Sequence, residues 1–94
     1  MIIDCHTHVF SPQVKKNRRH YVDSDPCFTL LYSNAKAKLA TADELITSMD
    51  KAGIHMAVIA NIGWTTHERC VETNDYILES VARYPHRLIG FCAI

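Results

Sequence analysis

The sequence lacks net charge, a long apolar run and any close pair of cysteines. Ten Lys and Arg balance ten Asp and Glu over 94 residues. A neutral domain carries no general attraction to nucleic acid. No apolar stretch approaches the ~20 residues that a membrane helix needs. The start does not read as a leader either, because Met1-Ile2-Ile3-Asp4 has no basic region and soon meets a charge. These absences predict a cytoplasmic chain with no membrane or nucleic-acid partner. Cys5, Cys27, Cys70 and Cys92 stand far apart, with no Cys-x-x-Cys. That excludes a zinc-ribbon spacing and the dense bridging of a small secreted scaffold, and predicts reduced, mostly buried thiols. No internal repeat or low-complexity tract is present. What remains is 48% hydrophobic and 21% charged, which describes one globular domain over residues 1–94.

The charge that is present is uneven. Residues 1–40 hold six Lys and Arg against three acids, and residues 41–94 hold four against seven. The basic excess gathers in Lys15-Lys16-Asn17-Arg18-Arg19-His20. A solvated loop face explains such a run without further purpose; the alternative is a contact to an anionic substrate or a neighbouring subunit.

The informative stretch is Met1-Ile-Ile-Asp-Cys-His-Thr-His8. An apolar entry leads into Asp4, His6 and His8 at every second position. Side chains alternate along a strand, so these three are expected on one face, with Cys5 and Thr7 on the other. Two imidazoles so spaced can reach one metal ion. Asp4 would hold a ring N–H or complete the ligand set. The competing reading is a strand carrying two histidines near a surface turn, because short motifs also match by chance.

Strand and helix signals then alternate. Ile2 to Thr7 reads as a strand. Val9 to Ala40 is a long connection with turn signals at Ser11-Pro12 and Asp23-Ser24-Asp25-Pro26, and with an apolar Phe28–Tyr32 segment that suits a helical turn or a packed flap. Thr41-Ala42-Asp43-Glu44 is a capping box that opens a helix to Ala52, and Gly53 supplies its left-handed stop. Leu45, Ile46, Met49 and Ala52 form its apolar stripe. Ile54 to Asn61 reads as a buried parallel strand, with His55 as a capping or edge residue. Thr65-x-x-Glu68 opens a second helix that runs to Tyr84, with Val71, Asn74, Leu78, Val81 and Ala82 on one face and an exposed His67 in its first turn. Arg87 to Ile94 reads as the third strand. The order β-loop-α-β-α-β, with two main helices, predicts right-handed βαβ units and a parallel α/β sheet.

In such sheets ligands bind beyond the carboxyl ends of the strands. His6, His8, the long connection and Asn61-Ile62-Gly63-Trp64 all belong to that rim. Asn61 is expected to hydrogen-bond a ligand there, because a polar side chain at the end of an apolar strand needs a partner. Trp64 either walls the site or packs against the first connection. Two imidazoles do not complete a catalytic zinc site, which takes three protein ligands and a water.

These residues resemble a family. Ile3-Asp4-Cys5-His6-Thr7-His8 is similar to the first strand of the amidohydrolase superfamily of metal-dependent (β/α)8 barrels. Ala42-Asp43-Glu44-Leu45-Ile46, Met49 through Ile54, Thr73-Asn74-Asp75-Tyr76, Tyr84-Pro85-x-Arg87 and Gly90-Phe91 are similar to the amidohydrolase-related branch. That branch holds hydrolases and non-oxidative decarboxylases of the aminocarboxymuconate semialdehyde decarboxylase type. The resemblance implies a partial (β/α)8 TIM barrel. It implies a divalent metal, usually zinc, on His6 and His8, with Asp4 in support and with Asn61 and Trp64 beside a small-molecule substrate. The family's further ligands, a histidine after the fifth strand, one near the sixth and an aspartate after the eighth, have no counterpart here.

A closed barrel takes about 250 residues, so this stretch corresponds to its first third. The expectation is the N-terminal part of a metal-dependent hydrolase attacking a C–N or related bond. It contains no catalytic residue of its own and is inactive alone; a truncated reading frame or a split barrel completed by another chain would both give this, and the expected protein partner is a complementing chain or a homo-oligomer. The alternatives are a decarboxylase of the same family, a non-catalytic metal-binding or self-assembling α/β module, and a TatD-type nuclease fragment supported only by the basic run.

Overall fold

A computed structural model describes Met1–Ile94. Three parallel strands, β1 (Ile3–Thr7), β2 (Met56–Ala60) and β3 (Leu88–Phe91), form one sheet in the order β1-β2-β3. The main helices are α4 (Ala42–Ala52) and α5 (His67–Arg83). No helix is long and apolar enough to cross a membrane.

Helix α4 forms where its ends are provided for. Thr41 accepts the Glu44 amide while the Glu44 carboxylate accepts that of Thr41, and Gly53 ends the helix at φ 72°. Helix α5 differs from expectation at its start. Thr66, not Thr65, is its cap, accepting the Arg69 amide. Its docking face also differs, because Cys70, Ile77 and Ser80 are buried while Val71 and Leu78 are 45% and 60% exposed. Gly90 lets α5 approach so closely: a Cβ there would stand 2.8 Å from Ile77 Cγ2 and 2.9 Å from Val81 Cγ2.

The long connection is mostly helical from Pro12 to Tyr32. It folds as α1 (Pro12–Lys16), α2 (Arg18–Ser24) and α3 (Pro26–Tyr32). Ser11 and Asp25 cap α1 and α3, each followed by proline at the first helical position. There proline's missing N–H costs nothing. The basic run is largely occupied. Lys15 pairs with Glu44 at 2.7 Å, Arg19 with Asp23 at 3.4 Å, and Arg18 donates to the Tyr32 and Asn34 carbonyls.

Two cores result. An aliphatic one of Val9, Ala42, Met49, Ala57, Ile59, Ile77 and Leu88 fills the space between the sheet and α4–α5. An aromatic one gathers Phe10, Tyr21, Phe28 and Trp64 with Val14, Leu39, Ile62 and Cys70. The thiols are free, but only Cys70 is buried; Cys5 and Cys92 are exposed, against expectation. Cys5 lies in the edge strand β1 and Cys92 just past the end of β3, and neither enters a core.

Candidate metal centre

Strand register decides which side chains meet. Ala57 and Ile59 are fully buried toward the helices, so Met56, Val58 and Ala60 belong to the opposite, open face. Thr7 lies opposite Ile59 and donates its hydroxyl to the Val58 carbonyl at 2.8 Å. His6 and His8 flank Thr7 and therefore stand on the open face, at its C-terminal rim. Asp4 does not share that face. It lies opposite Ala57, three residues before Thr7, whereas the partners Ala57 and Ile59 are two apart. The extra residue is a bulge, and it interrupts the alternation that the sequence pattern implies. The Asp4 carboxylate accepts the backbone N–H of His6 at 3.1 Å and not a ring nitrogen.

The imidazoles converge. Their Nε2 atoms are 3.1 Å apart, and the rings meet edge-on at 79°. Two nitrogens bound to one zinc at ~2.0–2.1 Å and near the tetrahedral angle lie about 3.3 Å apart, so the pair fits a shared ion. His8 Nδ1 is 2.7 Å from the Ala60 carbonyl oxygen. A carbonyl only accepts, so Nδ1 carries the proton and Nε2 of the neutral ring keeps its lone pair free for a metal. The orienting acceptor that the sequence reading sought in Asp4 is thus a backbone oxygen of β2. No group of three or more His, Cys, Asp or Glu side chains is arranged to hold a metal ion. The two imidazoles could supply two ligands to an ion, and no third side chain joins them.

Asn61 and Trp64 follow β2 at the same rim, and both are engaged within the protein. Asn61 Nδ2 donates to Thr73 Oγ1 at 2.6 Å and to Asn74 Oδ1 at 2.8 Å. Asn61 Oδ1 accepts the Ile62 amide and Trp64 Nε1, each at 2.9 Å. That exhausts the side chain's two donors and two lone pairs. Trp64 is 5% exposed and stacks on Phe28 with centroids 5.2 Å apart. Neither presents a free group to a ligand in this arrangement.

One buried carboxylate escaped the sequence reading. Asp25 has no exposed side-chain surface and lies 3.5 Å from Arg69 Nη1. It accepts the amides of Phe28 and Thr65 and the Thr65 hydroxyl. Burial alone would raise its pKa, but these donors and Arg69 outweigh it and hold the carboxyl below the ordinary range. Asp25 locks α3 to the segment between β2 and α5. The Asp-Pro pair, a cap followed by proline, was the available signal for α3.

No known family model matches the sequence, and no curated protein matches it. Among solved structures, the chain is similar to the crystal structure of a probable 2-pyrone-4,6-dicarboxylic acid hydrolase from Acinetobacter baumannii with citric acid bound. The TM-score is 0.56 at 21% identity. The match takes in 99% of this chain and 28% of that one, so the chain spans little more than a quarter of its neighbour's length. At this identity the likeness establishes a common fold.

Proposed function

We propose that the chain is the metal-anchoring first portion of a metal-dependent hydrolase of the amidohydrolase superfamily, built as part of a (β/α)8 barrel. The observation that carries the reading is the convergence of His6 and His8 Nε2 atoms at 3.1 Å, with His8 held by a carbonyl on its other nitrogen. The pair stands at the carboxyl end of a parallel sheet, where barrels place their chemistry. The neighbour's description as a hydrolase supports hydrolysis over decarboxylation, and its bound citrate supports a small carboxylated substrate.

His6 and His8 would supply two of the ligands, and Asp4 would support them by fixing the backbone amide of His6. A divalent ion there, zinc first, supplies Lewis acidity and an activated water. The His8 Nδ1–H bond to Ala60 holds the ring in the metal-binding tautomer and fixes its direction. The open face around the pair carries apolar side chains, with Ile3 45%, Ile89 41% and Phe91 60% exposed. Further strands, from a complementing chain or from the same polypeptide, would cover them and bring the missing ligands.

Zinc calorimetry on the 94-residue chain tests the reading. One ion should bind, short of the about 10 kcal/mol or more of a complete structural site, and His6→Ala should abolish it. The chain alone should turn over nothing. Catalysis by the pure chain, or zinc binding that survives loss of both imidazoles, would overturn the proposal.

A further inference from the structure

The peptide unit that joins Ala60 to Asn61 spans the whole rim. Its carbonyl oxygen accepts His8 Nδ1–H at 2.7 Å on the β1 side. Its N–H donates to the Phe91 carbonyl at 3.1 Å on the β3 side. A trans peptide is planar, so its C=O and N–H point in opposite directions and cannot be turned separately. Whatever fixes the N–H end therefore also aims the oxygen that holds His8.

The side chain of Asn61 ties this peptide to α5. Its amide nitrogen is shared between Thr73 Oγ1 and Asn74 Oδ1. Asn74 in turn grips Ala93 in both directions, donating to its carbonyl at 2.7 Å and accepting its amide at 2.9 Å. That reciprocal pair carries the chain past the end of β3 as a further rung would. The rim of β2, the exit of β3 and the middle of α5 form one connected amide network, half-buried and with its hydrogen-bonding groups matched.

From this connection we infer that Asn61 is a positioning residue for the metal pair, acting through the Ala60 carbonyl on the tautomer and direction of His8. The inference rests on the reading that His6 and His8 bind a metal, and it gives Asn61 a different task from contacting substrate. Without the tether only the bond to the Phe91 carbonyl restrains the Ala60–Asn61 peptide, and its oxygen can tilt away from His8. His8 then loses the acceptor that keeps its proton on Nδ1, and the Nε2–H tautomer, which cannot bind a metal, becomes populated.

The test is to record 15N imidazole spectra of the labelled chain at about pH 8, where histidine is neutral. In the parent protein His8 should be the Nδ1–H tautomer. Asn61→Ala should give a mixture with Nε2–H and weaken zinc binding by about tenfold or more, the usual loss when an outer partner of a ligand is removed. Thr73→Val, which removes one acceptor of Asn61 while leaving the aliphatic core untouched, should move the spectrum less and in the same direction. It decides the matter if Asn61→Ala does not fold. Ile77→Val destabilises the same helix without touching the peptide and should leave the tautomer unchanged.

A folded Asn61→Ala or Thr73→Val protein with the parent His8 tautomer would overturn the inference. So would an equal change in Ile77→Val, which would mark a general loosening. If the parent protein binds no zinc, the metal reading falls, while the tautomer shift still decides what Asn61 does.

Discussion

Val9 and Phe10 are adjacent in the chain and enter different cores. Val9 joins the aliphatic layer between the sheet and α4–α5. Phe10 joins the aromatic cluster under α1–α3, edge-on to Phe28 and Tyr32 at 5.9 and 5.1 Å. The aliphatic layer is assembled by strand and helix periodicity, each element contributing a face. The aromatic cluster is assembled by single large side chains from separate segments, fastened by Asp25. The histidine pair ends immediately before the junction, so its support comes from both: β2 below it and the β2–α5 segment beside it.

The comparison predicts that the two cores fail differently. Phe28→Ala should cost about 3–5 kcal/mol, the range for a fully buried aromatic. Its loss should fall on α1–α3, with amide exchange accelerated there and α4 and β2 still protected. Ile77→Ala, at about 2–5 kcal/mol, should instead lower the protection of the sheet and α5 together. Equal loosening of both halves by either variant, seen by hydrogen exchange, would show that they are one cooperative unit.

Asp25→Asn sharpens the boundary through pH. Asparagine turns an N–H toward donors that now meet an oxygen, which costs about 1–3 kcal/mol. In the parent protein the folded pKa of Asp25 lies below that of an ordinary aspartate. Its contribution to stability is therefore complete above the unfolded pKa and is lost as pH falls through the lower folded value. Urea titrations below pH ~4 should show this loss in the parent and not in the variant. An identical acid slope in both would remove Asp25 from the fastening role.

A smaller effect is expected at Gly90. An alanine methyl there must displace Ile77 or Val81, at the low end of the about 1–3 kcal/mol for overpacking. A thermal melt showing no loss would mean that α5 slides freely on β3. The weakest link between the halves is the exposed pair of Lys15 on α1 with Glu44 on α4. Its hydrogen bonds, from Lys15 first and then Thr41, hold the Glu44 pKa at about 2. Glu44→Gln should lower the melting temperature slightly, and less so in high salt.

How far each half was legible follows from how each is built. The capping box at Thr41–Glu44, the stop at Gly53 and the apolar β2 are local patterns, and the aliphatic layer could be read from them. The aromatic layer could not. Ser11-Pro12 and Asp25-Pro26 signal turns and helix starts equally well, and what selects the helices is contact between Phe10, Phe28 and Trp64, far apart in sequence. The same limit applied at the site. His6 and His8 were readable as a pair, whereas the acceptor for His8 is a backbone carbonyl, which every residue carries. Asn61 looked like an unpartnered polar group because Thr73 and Asn74 are its neighbours only in three dimensions.

The extra residue in β1 also bears on how much this strand can vary. Upstream of it, side chains are in step with the sheet's packing. Downstream, they are in step with the convergence of His6 and His8. The bulge acts as a phase slip between two constraints that one regular strand would have to satisfy together. Substitutions at Ile2 or Ile3 can therefore drift with whatever covers the sheet, while the aim of the imidazoles stays tied to Thr7 and β2. Paired regularly, without the bulge, the same residues would leave the histidines facing the helices, or else leave the apolar entry out of register with its partner.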